Sequence, residues 1–388
     1  FVQAQILPFS YQNICVRGSG TKIDSLLLRE YLHQKRSVPL PDPPREFAGG
    51  YTDIFETGVI GNVHHCDVRS LYPSIMMKDE LQPKSDEIGV FLKLLGYLRD
   101  FRIQTKQQMQ KSVSEEERNY LDALQSTFKI LINSFYGYMG FSQARFGDFE
   151  AAERVAEEGR ALLRRMIDWI RAHGGRPIEI DTDGIYFVPP ATKTGAELTR
   201  FQEDFQAFLP EGIEVEFDGR YRAMLSYKMK NYAVLDDHGE IVIKGAALKS
   251  RGLEPFQRAF VREWLRLVLE GQSAETPGLA ATYRKAIAER AWPIRMLAKT
   301  ETLQDAPATY QGKVSGGDRG RNAAYELALR SNREYRAGDQ ISYYVCGDKK
   351  GVAVHSNAKL VSEWDPERRD ENVAYYLAKL DALAQKFD

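Results

Sequence analysis

Nine residues, Asp67-Val-Arg-Ser-Leu-Tyr-Pro-Ser-Ile75, constrain this chain more than any other stretch. Upstream, Val59, Ile60, Val63, Cys66 and Val68 read as an extended segment. Downstream, Pro73 suits the first turn of a helix that runs on through Ile75, Met76 and Met77. The change from strand to helix strands Asp67 at the end of a strand, just before a turn with free backbone N–H groups. A cation can bind that carboxylate and a phosphate can bind those amides. An Asp at a strand end more commonly caps the next turn, so a chemical role needs support from elsewhere.

The chain has 388 residues, enough for two or three domains with their own cores. A hydrophobic content of 43% without any apolar run of membrane-spanning length describes a soluble globular protein. No signal peptide is visible. Cys15, Cys66 and Cys346 are unpatterned and far apart, which argues against a disulfide framework and for a reducing compartment. His64-His65-Cys66 has metal-binding residue types, but neighbours on a strand point to opposite faces and do not converge on one ion. The net charge of −1 excludes a uniformly basic nucleic-acid binder. From Lys244 onward, however, 24 Lys and Arg stand against 19 Asp and Glu, leaving the remainder acidic. An acidic part and a mildly basic part suit metal in one and a polyanion in the other, although ordinary surface variation gives the same imbalance.

Taken in order, the chain first offers one helix, Thr21 to Gln34. Gly18-Ser-Gly-Thr-Lys22 ahead of it lacks the spacing of a phosphate loop and reads as the start of that helix. Pro39, Pro41, Pro43 and Pro44 make a stiff linker, and Phe47-Ala-Gly-Gly-Tyr51 a flexible joint. Helices are expected over Phe91 to Lys111 and Glu115 to Tyr138, forming an antiparallel hairpin with Ser114 and Glu117 as a capping box. Arg102 and Lys106 share one face of the first; Lys129, Asn133, Tyr136 and Gly137 follow helical spacing on the second. Such cations could line an anion site or simply meet solvent. Asn133 and Gly137 are poor helix formers in an otherwise strong helix, which strains the solvent reading.

A further amphipathic helix is expected from Ala151 to His173, closed by Gly174-Gly175. Two β-rich runs then flank Asp181-Thr-Asp-Gly184, a hairpin whose two carboxylates would share a face in extended geometry. A plain Asp-Gly turn has the same sequence. After a helix from Gly195 to Phe208, strands are expected at Ile213 to Phe217, Ala223 to Tyr227, Asn231 to Leu235 and Ile241 to Lys244. Lys228, Lys230 and Tyr232 there mix cations with an aromatic, as a nucleic-acid grip would. Beyond Gly252 the pattern is mainly helical. A loop Lys313 to Arg321, a strand over 341–354 and a last helix from Asp370 to Phe387 are expected.

If Asp67 and Asp183 meet on adjacent strands, they can hold two divalent cations of the kind that stabilise an in-line phosphoryl displacement. Hard oxygen ligands and substrate phosphates favour Mg2+. The cationic helices would then neutralise a triphosphate. With this order of features the chain resembles a family B DNA polymerase. Asp67-Val-Arg-Ser-Leu-Tyr-Pro-Ser-Ile75 is similar to the family's first palm motif, Lys129-Ile-Leu-Ile-Asn-Ser-Phe-Tyr-Gly137 to its fingers motif and Asp181-Thr-Asp-Gly184 to its second palm motif. Phe47-Ala-Gly-Gly-Tyr51 resembles the joint between exonuclease and polymerase modules, with Phe47 in place of the usual Tyr. Gly338 to Tyr343 and Asp370 to Tyr376 resemble thumb segments.

The resemblance implies an α+β fold of the right-hand type, with an antiparallel palm sheet, helical-hairpin fingers and a mainly helical thumb. Residues 1–50 would be an N-terminal segment and linker, 51–80 and 140–250 the palm, 81–139 the fingers and 251–388 the thumb. It implies template-directed addition of deoxynucleotides to a primer 3′-hydroxyl. Asp67, Asp183 and the Val68 carbonyl would bind two Mg2+ ions, with Mn2+ as a substitute, and Asp181 would play a secondary part. Ser70 and Leu71 amides would cradle the triphosphate, and Tyr72 would exclude a 2′-hydroxyl. Arg102, Lys106, Lys129 and Asn133 would contact the triphosphate, Tyr136 and Gly137 the nascent base pair, and Lys230 and Tyr232 the primer–template. The segment Lys228-Met-Lys-Asn-Tyr232 departs from the family's more basic cluster. Before Gly50 no carboxylate set could form an exonuclease site. The partners implied are primer–template DNA and deoxynucleoside triphosphates, with room for a sliding clamp or accessory factors, and a monomer. Two rivals stand beside this: a polymerase-derived domain that binds nucleic acid without catalysis, and another two-metal enzyme such as a nucleotidyl cyclase or template-independent transferase.

Overall fold

A computed structural model describes residues 2–191, 195–249 and 252–387. The expected domain limits at residues 1, 251 and 388 lie outside the described residues. The chain divides into two compact units, Phe1–Thr57 with Asn62–Arg220, and Gly58–Gly61 with Tyr221–Asp388.

The first unit begins with α1 (Val2–Ile6), α2 (Tyr11–Val16) and α3 (Ser19–His33). Lys22 lies inside α3, and its ammonium donates to Gln3 Oε1 at 2.5 Å, so the glycine-rich run before it starts a helix. Next come β1 (Thr52–Ile54), β2 (Gly58–Val68), α4 (Leu71–Lys78), α5 (Val90–Lys111), α6 (Glu115–Met139) and α7 (Phe149–Ala172). They are followed by β3 (Arg176–Asp181), β4 (Gly184–Val188), α8 (Ala196–Phe208) and the start of β5 (Val215–Lys228). Within this unit the strands lie in the order β1-β3-β4-β2-β5. Asp67 is registered opposite Gly184, and Gly184 opposite Asp181 on its other side.

The helical hairpin is α5 against α6, with Phe91 against Phe135 at 5.0 Å and Phe101 against Phe128 at 4.8 Å. Ser114 caps α6 by accepting from the Glu117 N–H at 3.3 Å. The expected reciprocal bond is not made: the Glu117 carboxylate instead accepts from the Ser112 hydroxyl at 2.7 Å, because the tight link between the helices brings Ser112 nearer. Helix α7 buries Val155, Leu162, Leu163, Met166, Ile167 and Ile170 under the sheet. Each fully buried side chain of this size contributes about 1.5–3 kcal/mol. Gly174, at φ +79°, ends that helix without a Cβ penalty.

The second unit contains the rest of β5, then β6 (Asn231–Asp236), β7 (Ile241–Lys244), α9 (Pro255–Leu269), α10 (Thr276–Ala288) and β8 (Lys299–Thr302). It ends with α11 (Pro307–Ser315), α12 (Ala323–Arg330), β9 (Gln340–Val345), β10 (Ala358–Leu360) and α13 (Val373–Ala384). Its larger core joins Ala223, Leu225, Ala233 and Leu235 of the strands to Phe256, Phe260 and Leu265 of α9 and Tyr376 and Leu380 of α13.

Four expectations change. The strands expected at Ile213–Phe217 and Ala223–Tyr227 are one strand, β5, because Asp218-Gly-Arg220 stays extended and does not turn. The break between units falls inside it, at Arg220/Tyr221. Lys313 to Ser315 belong to α11, so the glycine-rich loop is shorter. The strand expected over 341–354 stops at Val345, and the last helix starts at Val373, where Asn372 caps it.

Candidate active site

Strand β2 delivers Asp67 to the end of the sheet beside the β3–β4 connection, where the Val68 N–H donates to the Asp183 carbonyl at 2.9 Å. Asp183 is not on a strand. Thr182 and Asp183 are the whole connection, the Asp183 N–H donates back to the Asp181 carbonyl at 2.8 Å, and Thr182 has φ +68°. This three-residue turn is of the rare, strained hand, in a β-branched residue that avoids positive φ. Strand alternation, from which Asp181 and Asp183 are expected to share a face, stops at Asp181, yet the two carboxylates stay near enough for Asp181 to raise Asp183. The turn brings Asp183 onto the same cavity as Asp67.

The two carboxylates oppose each other electrostatically. Burial, and next the Asp183 charge, push Asp67 up to about 6. Burial, and next Asp181, raise Asp183. Lys129 and His65 act in the opposite direction on both. Two carboxylates held together at such a cost are what a divalent cation relieves. Among the described residues no group of three or more His, Cys, Asp or Glu is placed to hold a metal. The pair thus leaves several positions for a backbone carbonyl, water or phosphate, the incomplete protein shell that Mg2+ favours, and the residues fit such an ion.

One cavity gathers seven of the fifteen expected residues. Asp67, Ser70, Arg102, Lys106, Lys129, Asn133 and Asp183 all line it. Ser70 is the N-cap of α4 at φ +48°, and its side chain does not cap the helix, which leaves that role to another group. Val68 and Leu71 are buried and do not line this cavity. Tyr72 stacks on Tyr136, with ring centroids 4.1 Å apart. Burial first, then Tyr136 and Asp183, push its phenol up to about 12. Gly50 makes room for it, since a Cβ there would lie 2.4 Å from the Tyr72 hydroxyl. The Phe47 to Tyr51 joint is held by Arg160, which donates to the Ala48 and Gly49 carbonyls at 2.7 Å each. Gly137 is exposed, with open space where a side chain would be. Lys230 and Tyr232 belong to the second unit: Lys230 sits in the β5–β6 turn at φ +59°, and Tyr232 is buried in its sheet.

Four residues here escaped the sequence reading, and a fifth, His65, was considered there only as a metal ligand. Arg69 spans Glu214 at 2.6 Å and Glu216 at 2.5 Å, and Lys106 lies 3.6 Å from the same Glu216. His65 Nδ1 meets Asp218 Oδ1 at 2.6 Å, while its Nε2 leaves no room for a Cβ on Gly184, at 2.3 Å. The available signals were the i, i+2 spacing of His65 with Asp67 on β2 and of Glu216 with Asp218 on β5, which place each pair on one strand face. What they face was not readable locally.

This antiparallel α+β architecture is shared with a solved polymerase, the family B DNA polymerase of Pyrobaculum calidifontis. The TM-score is 0.70 at 22% identity, over 96% of this chain and 51% of that one. The profile of DNA polymerase family B matches residues 79–386, and the chain belongs to that family. Among curated relatives, it is 27% identical to a DNA polymerase of Thermococcus gorgonarius over 93% of this chain and 50% of that protein. It is 29% identical to DNA polymerase 1 of Pyrococcus abyssi over 66% and 36%. The chain spans about half the length or less of these relatives. No helix among the described residues is long and apolar enough to cross a membrane.

Proposed function

We propose that this chain is a DNA-directed DNA polymerase that adds deoxynucleotides to a primer 3′-hydroxyl as a template dictates. The observation that carries this is the placement of Asp67 and Asp183 together, each raised by burial and by a neighbouring carboxylate, in a cavity also lined by Arg102, Lys106 and Lys129. In this reading residues 51–80 and 140–250 act as palm, 81–139 as fingers and 251–388 as thumb.

Asp67 and Asp183, with the Val68 carbonyl, would hold two Mg2+ ions, or Mn2+ in their place. Ions bound there supply charge neutralisation at the attacking and leaving oxygens of a phosphoryl transfer. The chain's own groups do the rest by position. Lys129, Arg102, Lys106 and Asn133 bind the triphosphate oxygens, and Ser70 and Leu71 offer backbone N–H groups to them. Tyr72, pinned by Tyr136 and by the space at Gly50, lies where a 2′-hydroxyl would clash. Tyr136 and Gly137 form an open face for the nascent base pair. Asp181 supports the turn behind Asp183. In the second unit the exposed Lys230 is the DNA-backbone contact, and the buried Tyr232 backs its hairpin.

The reading includes no exonuclease site in this chain. Of the acids before Gly50, Asp24 is buried and bonded to Tyr138 at 2.8 Å and to Arg145, and Asp42 pairs with Lys84 at 3.0 Å. Primer–template DNA and deoxynucleoside triphosphates are the substrates, the protein acts as a monomer inside the cell, and a sliding clamp or accessory factor is compatible with it. Primer extension with Mg2+ on templates of different sequence tests the proposal. Extension should follow the template and vanish in Asp183→Asn. Product that ignores the template, or that survives this substitution, would overturn it.

A further inference from the structure

The same cavity holds two carboxylates that the proposed chemistry does not use. Glu214 and Glu216 line it together with Asp67 and Asp183, and across from Arg69, Arg99, Arg102, Lys106 and Lys129. Glu214 stands just before β5 and Glu216 within it. The Arg69 guanidinium bridges both, at 2.6 and 2.5 Å, and its backbone N–H donates to the Glu214 carbonyl at 2.9 Å. The Lys106 ammonium reaches Glu216 at 3.6 Å. Arg102, one turn before Lys106, is the counterpart: its Nε is buried without a hydrogen-bond partner, and burial lowers its pKa while Glu216 partly restores it.

These positions are where phosphate oxygens would go. A guanidinium fork spanning two acceptors, an ammonium on one of them, and a buried donor still waiting describe an anion site filled by side chains. We propose that Glu216, seconded by Glu214, is a built-in phosphate surrogate. It occupies Arg69 and Lys106 until an incoming nucleotide displaces it, and so makes the site select triphosphates over ligands with fewer phosphates. The inference rests on the nucleotide site proposed above.

The pairs suit exchange. The side chains of Arg69, Lys106, Glu214 and Glu216 are 38–56% exposed, which keeps each ion pair weak and displaceable. A triphosphate carries enough oxygens to replace every bond that Glu216 gives up and to reach Arg102 as well. A diphosphate replaces fewer, and repulsion from the displaced carboxylates weighs more heavily on it.

The test is single-nucleotide incorporation by the full chain on a primer–template with Mg2+, comparing the wild type with Glu216→Gln and Glu214→Gln. The KM for the deoxynucleoside triphosphate should fall about three- to tenfold in Glu216→Gln, and less in Glu214→Gln, as expected for losing one or two exposed competing pairs. Inhibition by the matching deoxynucleoside diphosphate should tighten by a larger factor, narrowing the triphosphate preference. A KM that stays the same or rises in both variants overturns the surrogate. Should Glu216→Gln fail to fold, the same two measurements on Glu214→Gln decide the matter at smaller amplitude. A wild-type chain that does not extend primers defeats the polymerase reading itself. An active wild type with unmoved KM and diphosphate inhibition in the variants defeats only the surrogate.

Discussion

Asp67 reaches the cavity from the end of a strand and Asp183 from a hairpin turn more than a hundred residues further along the sequence, whereas Arg102, Lys106, Lys129 and Asn133 reach it from two consecutive helices. The acidic wall depends on long-range register: Asp67 opposite Gly184, the Val68 N–H on the Asp183 carbonyl, and a strained turn at Thr182 between them. It is half-buried and crowded. The basic wall depends on helical periodicity, with Lys129 and Asn133 exposed and Arg102 and Lys106 partly buried. Geometry with no slack belongs where ions must be shared by two side chains. Slack belongs where a flexible, highly charged ligand is gathered. Substitutions should therefore act almost all-or-none on the first wall and in graded steps on the second.

The sharpest way to break this contrast is Asp67→Asn. Extension should fall at least about a thousandfold, since the partner carboxylate cannot hold the charge alone. In the metal-free protein the same change should stabilise. Asp67 is raised from 3.8 to about 6, so the folded state prefers it protonated. Its contribution to stability is present below the ordinary carboxylate pKa and lost as pH rises through about 6. The variant should thus melt higher at pH 8 by an amount worth roughly 1 kcal/mol after solvent screening, and match the wild type near pH 4. Thermal melts with EDTA at both pH values check this. A variant that melts lower at pH 8 would contradict the strained-pair account.

Next in size is Gly184→Ala. Its Cβ would stand 2.3 Å from His65 Nε2, so either the turn or the imidazole moves. Activity should drop about a hundredfold, as displacement of a reacting geometry by an ångström does. Combining it with His65→Ala should recover a substantial part of that loss, a coupling that double-mutant kinetics measure. Additive losses would remove His65 from the account.

On the basic wall, Lys129→Ala should raise the KM for nucleotide about ten- to a hundredfold, the scale of a charged hydrogen bond, with Arg102→Ala and Lys106→Ala no larger. All-or-none loss from any of them would erase the distinction between the walls. The smallest effect belongs to the aromatic floor. Tyr72→Val should cut discrimination against ribonucleotides by roughly tenfold or more while deoxynucleotide incorporation persists. Unchanged sugar selectivity would place the gate elsewhere.

How much of this was readable in advance follows the same division. The expected limits of α5 and α6 fall within a residue of those observed, because caps and helical spacing are local signals. Lys129, Asn133, Arg102 and Lys106 could be placed on facing helices for the same reason. The capping box was half right, because Ser112 competes for Glu117. On the sheet, local signals ran out. Alternation stops short of Asp183, since a γ-turn intervenes, and β5 was split at Asp218-Gly-Arg220 because no single-strand pattern shows that Asp218 is engaged by His65. Arg69, Glu214 and Glu216 could not be joined either. Their meeting depends on β2 lying beside β5, and roughly 145 residues separate them in the chain.

The amino-acid sequence by itself determined the helical hairpin, the order of the motifs and the family. Only the tertiary structure decided that Asp67 and Asp183 share a cavity with a cationic hairpin, that Thr182 takes a positive φ beside them, and that two glutamates pair with Arg69 and Lys106 there. The reason is physical: helix spacing and caps are set by neighbours a few residues away, while strand register and the pairing of charges are set by whichever distant segment the folded sheet brings alongside.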